Sequence, residues 1–239
     1  MIKADLHGHP EFFNPERVFR LTEWHKVSLD DLRNVELDGI PISDHHDTRW
    51  EHYLGKNVPP IYSIGKHKYL IHTREIQALH EGKRIDINVI CPVDDSDIRQ
   101  IKPKERSLDY VLDAVRASGG IICLVHQEDI ELIRKLLEEG KADINEQYNW
   151  IHGKEILIPG HKGIAVSDAH LLRDYGRAYT IFSIDELNIE SLNYALKNQK
   201  FELVFKESFG NNVARTVSRL KYSANVTEAI IRGKLGFPS

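Results

Sequence analysis

The chain has 239 residues, 41% of them hydrophobic and 28% charged, and no apolar run approaches the roughly 18 residues of a membrane span. Acids outnumber bases 36 to 32, a net charge of −4, which argues against chain-wide attraction to nucleic acid, though not against a local patch. The opening MIKADLHGHP lacks the apolar stretch of a signal peptide, and two cysteines, Cys91 and Cys123, are too few for a disulfide framework, so a cytoplasmic protein is expected.

In chain order, short β-branched or apolar runs alternate with amphipathic stretches. Strands are expected at about 2–6, 39–43, 68–76, 84–91, 119–125, 155–158 and 163–167. Ser28 is a good N-cap for a helical stretch reaching Gly39. Leu108, Val111, Leu112 and Val115 fall at i, i+3, i+4 and i+7, and Gly119 follows as a C-cap. Ile130, Ile133, Leu136 and Leu137 repeat the pattern up to Gly140; Leu187, Ile189, Leu192 and Leu196 mark another helix before Lys200. Such alternation implies βαβ units, a mostly parallel sheet and a single α/β domain. From Phe209 onward the charge is +4, carried by Arg215, Arg219, Lys221, Arg232 and Lys234 against Glu228. Residues 209–239 are therefore expected to be a basic extension packed on a domain of residues 1–208, its charges in water rather than on nucleic acid.

Thirteen histidines are many for this length, and their placement is ordered. His7 and His9 follow the first run, and Asp44, His45 and His46 close the second. Glu75, His126, and Asp168 with His170 end three more. In a barrel of parallel strands all such ends open onto one face, where catalytic groups gather. His7 and His9, two apart in an extended segment, share one side and can reach one ion. Imidazole with carboxylate and no thiolate suits Zn, Mn, Fe, Co or Ni rather than a structural zinc-finger site. The set suffices for two ions bridged by Glu75 or Asp168, a clamp suited to displacement at phosphorus. A GxSxG elbow, a Walker A loop and a GxGxxG helix opening are all absent from the sequence.

DLHGH (5–9), ISDHHD (42–47), REI around Glu75, IICLVHQ (121–127) and SDAH followed by GRAYT (167–180) resemble, in that order, the motifs of the PHP (polymerase and histidinol phosphatase) family. The resemblance covers residues 2 to about 202. It implies a distorted seven-stranded (β/α) TIM-like barrel carrying two or three divalent ions (Mn, Zn or Fe), and hydrolysis of a phosphoester by attack of metal-bound hydroxide. By resemblance His7, His9, Glu75 and Asp168 hold one ion, Glu75 and His126 a second, and His45 with His170 a third. Glu75 and Asp168 are then the bridging, water-activating groups. Two positions depart from the family: Asn14 and Pro15 stand where a further His or Asp is usual, and Asn88 where a strand histidine is. Asn14 and Asn88 are the corresponding weak ligands.

Asp5 and Asp44 are expected to orient ligand imidazoles through their second nitrogen, and Arg173 and Arg177 to grip a substrate phosphate. His25, His52, His67, His72, His80, His152 and His161 read as ordinary, and ADINEQYN (142–149) is assigned no role. The expected partner is a small phosphorylated substrate; nucleic acid is a less favoured one, and no membrane is involved. The rival readings are an amidohydrolase, whose sites usually include a lysine, and a PHP domain that binds without cleaving.

Overall fold

The computed structural model describes residues 1–9, 28–44, 54, 59–94, 96, 98, 101, 106–170, 172–205, 215–216 and 220. In chain order the elements are β1 (Ile2–Ala4), α1 (Leu29–Arg33), β2 (Gly39–Asp44), β3 (Ile61–Gly65), β4 (Lys68–His80), β5 (Lys83–Ile90), α2 (Leu108–Ala117), β6 (Ile121–Val125) and α3 (Ile130–Glu138). There follow β7 (Ile144–Asn149), β8 (Lys154–Glu155), β9 (Ile164–Val166), β10 (Ala178–Phe182), α4 (Ile189–Lys197) and β11 (Phe201–Phe205).

The helices begin where the sequence offers a cap. Ser28 and Asp31 form a reciprocal capping box on α1, Ser107 accepts from the Tyr110 amide on α2, and Asp129 accepts from the Leu132 amide on α3. The predicted stripe Leu108, Val111, Leu112, Val115 is the buried face of α2, and the glycines after α2 and α3 adopt positive φ. Helix α1 is shorter than expected, because Asn34 caps it after five residues. No helix among the described residues is long and apolar enough to cross a membrane.

The strands form one mixed sheet in the order β11-β10-β1-β2-β4-β5-β6-β7-β8, with β3 beside β4 and β9 beside β7. β1, β2 and β4 pair in parallel, as do β6, β7 and β9, and β5 runs antiparallel between β4 and β6. Those six strands therefore point the same way, and β11 joins them, being antiparallel to β10, which is itself antiparallel to β1. The mostly parallel sheet expected from the alternation is corrected at β4–β5: His80 pairs with Lys83, and Glu81 and Gly82 both take positive φ, the two-residue turn that makes a tight hairpin. A second correction concerns β7, formed by residues assigned no role, whereas the run at 155–158 contributes only the short β8. Polar Asn145, Glu146 and Asn149 lie buried in β7 and mask the apolar signature of a central strand.

This sheet curls. A flat one would hold β1 and β9 about 29 Å apart, six spacings of about 4.8 Å. Yet Ile2, Leu6, Ile71, Ile90, Cys123, Val125, Ile144, Ile164 and Val166 meet in one buried cluster. Closure is direct just past the strand ends: the Asp168 amide donates to the His7 carbonyl (2.9 Å), the His9 amide to the Ala169 carbonyl (2.7 Å), and Gly8 and Ala169 form a parallel bridge. Helices α2 and α3 cover the outer face of β4–β6. The result is a mixed α/β fold with a curled, half-barrel sheet. Cys91 and Cys123 are free and buried, as expected.

Candidate metal centre

The segment after β1 stays extended, so His7 and His9 project to one side, with their Nε2 atoms 3.2 Å apart. Gly8 between them fits because a Cβ there would lie 3.0 Å from the Tyr175 ring. Glu75 is not at a strand end but midway along β4. It lies in line with the others because β2 ends at Asp44, which pairs with Arg74, so β4 passes the rim of its parallel neighbour at residue 75. Asp168 lies two residues beyond the end of β9, and His126 follows β6 directly. Both take positive φ, 51° and 57°, which turns their side chains into the site.

The four groups converge closely. His7 Nε2 lies 3.6 Å from Glu75 Oε2 and 3.7 Å from Asp168 Oδ1, and His9 Nε2 lies 3.4 Å and 3.6 Å from the same atoms. Ligands about 2.05 Å from a tetrahedral ion stand about 3.3 Å from one another, so this spacing fits one divalent ion. The Asp168 Oδ1 atom is buried with no hydrogen-bond partner among the described residues, a donor atom left free for a cation.

His126 lies on the other side of Asp168, its Nε2 3.2 Å from Oδ2 and its Nδ1 3.9 Å from Glu75 Oε1. His170 folds back so that its Nδ1 is 2.8 Å from the Asp168 carbonyl, and its ring lies 4.8 Å from that of His9. His45, Asn14, Pro15 and the side chain of Asp44 lie outside the described residues. Asn88 pairs with Glu75 in register, and its amide donates to the Leu6 carbonyl at 2.8 Å.

Three participants were not expected. Glu146 lies in β7 level with the end of β6, and its Oε1 is 2.5 Å from His7 Nδ1. It thus takes the imidazole-orienting place, fixing the tautomer so that Nε2 faces the cluster. The Ser43 carbonyl, 3.2 Å from His9 Nδ1, does the same for His9. Asp5 makes no hydrogen bond to an imidazole among the described residues: it accepts from the amides of His7 and Ser167 and from the Ser167 hydroxyl, holding together the two segments that carry His7 and Asp168. The second is Asn149, which donates to Glu146 Oε2 (3.0 Å) and to Asp168 Oδ2 (3.4 Å). The third is His152, set aside as ordinary, with its Nε2 3.6 Å from Asp168 Oδ2 and its ring 4.6 Å from that of His126. A signal for Glu146 existed: the helix ending at Gly140 had to return as a parallel strand, which makes 142–149 the next stave.

Arg173 and Arg177 are placed elsewhere. Arg173 lies within the 3-10 turn Leu172–Asp174 and Arg177 three residues beyond it. Both arginines line a cavity of about 540 Å³ with Lys3, Asp31, Glu36 and Tyr179, which none of the described candidate ligands lines.

Electrostatics follow the geometry. Burial acts to lower the His7 pKa, but the carboxylates of Asp168 and Glu146 raise it well above its ordinary value. Burial works the same way on His126, which its close contact with the Asp168 carboxylate nevertheless brings to about 9. Asp168 is held well below the usual carboxylate range despite burial, by His7, His126 and His152. Asp5 is pushed up to about 7 by burial, against its hydrogen bonds from Ser167 and His7. Three carboxylates under 6% exposed thus crowd a handful of imidazoles, a field suited to a multiply charged cation.

A family model described as PHP-associated matches residues 160–201, which include Asp168 and His170. No curated protein matches in sequence. A two-domain protein from Bacteroides vulgatus containing a predicted PHP-like metal-dependent phosphoesterase shares the fold at 17% identity and a TM-score of 0.55, over 85% of this chain and 64% of that one. The lesion-specific endonuclease EndoQ from Pyrococcus furiosus gives 14% and 0.52, over 84% and 57%. PsfC from Pseudomonas syringae PB-5123 gives 12% and 0.59, over 93% and 98%. This chain thus spans less than two thirds of the first two.

Proposed function

We propose, from the PHP-domain family that the matched segment and the shared fold support, that this chain is a metal-dependent hydrolase of phosphoesters. The observation that carries the reading is the spacing of His7 Nε2, His9 Nε2, Glu75 Oε2 and Asp168 Oδ1, every measured pair between 3.2 and 3.7 Å. In this reading those four hold a divalent ion, with Zn, Mn or Fe suited to the donors. When bound, the ion supplies Lewis acidity and a water of lowered pKa. Glu146 and the Ser43 carbonyl keep the His7 and His9 nitrogens aimed inward. His170 sits at the rim, 13% exposed, where it would meet a substrate or, with His45, a further ion. β1, β2, β4, β5, β6, β7 and β9 are read as the seven staves of a PHP-type barrel, and residues 209–239 as an extension docked through Arg215, whose guanidinium meets the Tyr148 hydroxyl.

The substrate is read as a small phosphorylated compound, with an oligonucleotide the alternative. The test is hydrolysis of p-nitrophenyl phosphate and of bis(p-nitrophenyl) phosphate by protein loaded in turn with Mn, Zn and Fe. Metal-dependent turnover of either ester, lost in the His7→Ala/His9→Ala double variant, is expected. Turnover of an amide or lactone but of neither ester would move the chain to the amidohydrolase reading. Metal loading without any hydrolysis would leave it a binding module.

A further inference from the structure

We propose that a second divalent ion is held by His126 Nε2, His152 Nε2 and Asp168 Oδ2, so that Asp168 is the carboxylate shared between the ions. The inference rests on the reading above; a second ion at His126 is what the family resemblance already implies, and what is added is His152, a ligand that the sequence motifs do not contain. The two oxygens of Asp168 face different clusters: Oδ1 lies 3.6–3.7 Å from the His7 and His9 nitrogens, and Oδ2 lies 3.2 Å from His126 and 3.6 Å from His152. All three donor atoms of the second set fall within 4.8 Å of one another. His126 Nε2 is buried yet makes no hydrogen bond among the described residues. An imidazole nitrogen left bare beside a carboxylate is what a site for a borderline-soft cation requires.

The turn carrying His152 is built rather than loose. After β7 the side chain of Asn149 accepts from the His152 amide (3.2 Å), and its carbonyl accepts from the Gly153 amide (2.9 Å). The same Asn149 amide donates to Glu146 and Asp168, tying the turn to both carboxylates. On the outer side the Arg215 guanidinium fills the space a Cβ on Gly153 would need, and lies 5.8 Å from the Trp150 ring centroid. His152 is therefore aimed inward from a fixed backbone while 45% of its side chain meets solvent. Three protein donors with one open side is the pattern of a metal site that keeps a position for water or substrate. Asn88, the ligand suggested by its place in the sequence, gives its amide N–H to the Leu6 carbonyl and keeps its Oδ1 buried without a hydrogen-bond partner among the described residues, but the second set has three donors without it.

The experiment is metal stoichiometry by mass spectrometry, with stepwise Co²⁺ titration followed by visible absorption, on the full chain and on His152→Ala, His152→Gln and Asn88→Ala. The parent is expected to bind at least two ions. Both His152 variants should lose one ion per chain, or bind it at least tenfold more weakly, with loss of one d–d absorption step. Asn88→Ala should keep both ions. Circular dichroism guards against misfolding, and agreement of the Ala and Gln variants guards against a local fault. A parent with one ion, a His152 variant with the parental count, or loss in Asn88→Ala alone would each overturn the proposal while leaving the first ion intact. A parent that binds no ion would overturn both readings.

Discussion

Glu146 offers the sharpest check, because its role comes from geometry and not from a motif. Its Oε1 stands 2.5 Å from His7 Nδ1, and the His7 ring is fully buried, so water cannot readily replace a lost partner. A net hydrogen bond to a charged group contributes about 1.5–3 kcal/mol and a neutral one about 0.5–1.5. Glu146→Gln keeps the shape and can still accept through its amide oxygen, so it should lose roughly the difference, about 1–1.5 kcal/mol, or about tenfold in affinity for the first ion. Glu146→Ala strands the ring N–H in the interior, which costs about 1–3 kcal/mol. Together with the loss of orientation, that predicts affinity lower by roughly a hundredfold. Competition of Zn²⁺ between metal-free protein and a chromophoric chelator reads both numbers. Affinities within twofold of the parent in both variants, with the fold intact by circular dichroism, would refute the orienting role.

Other perturbations have equally definite outcomes. Asp168→Ala removes the carboxylate that touches every imidazole of the cluster and should abolish metal loading and phosphoester turnover together; full activity would refute the site. Chelation should lower the melting temperature, since an ion present at 100 times its Kd contributes about 2.7 kcal/mol, or roughly 5–10 °C for a chain of this size; an unchanged melt would argue against a structural grip on the ion. Gly8→Ala brings a Cβ to 3.0 Å from a Tyr175 ring whose hydroxyl donates to the Pro41 carbonyl; a loss of about 1–3 kcal/mol is expected in chemical denaturation, and none would show that the ring yields freely. Arg215→Ala removes the contacts to Tyr148 and Trp150 and should weaken the second Co²⁺ step more than the first, where equal weakening would indicate general destabilisation.

The legible parts of the site were the residues that directly follow parallel strands. His7, His9, His126 and Asp168 stood out because a polar group after a buried apolar run has few reasons to exist except at a rim. Glu75 was found as a residue but misplaced as a strand end, since the register with β2 is a long-range fact that no local pattern carries. Glu146 was missed for the opposite reason: the strand that carries it is polar where it faces the site, so its hydrophobic period fails at the informative positions. His152 is set by a turn whose shape depends on Asn149 and on Arg215, 63 residues beyond it. The β4–β5 hairpin was readable from Glu81-Gly82, but the expectation of βαβ units outweighed it.

Closure of the sheet and construction of the site are one event in this fold. Asp168 and His126 hold left-handed backbone conformations, 51° and 57° in φ, which cost non-glycine residues about 1–3 kcal/mol unless neighbouring structure compensates. For Asp168 the compensation is visible: its amide donates to the His7 carbonyl, the next residue bridges to Gly8, and Asp5 clasps Ser167 from the β1 side. The strained residue is thus pinned by the same bonds that bring β9 to β1. Buried carboxylates at this density oppose closure by mutual repulsion and lost hydration, and imidazoles after β1 and after β6 offset that only while they carry protons. A divalent cation at the same point would release those protons and remove the repulsion together. Metal binding and the final closure of the curled sheet should accordingly rise and fall as one equilibrium.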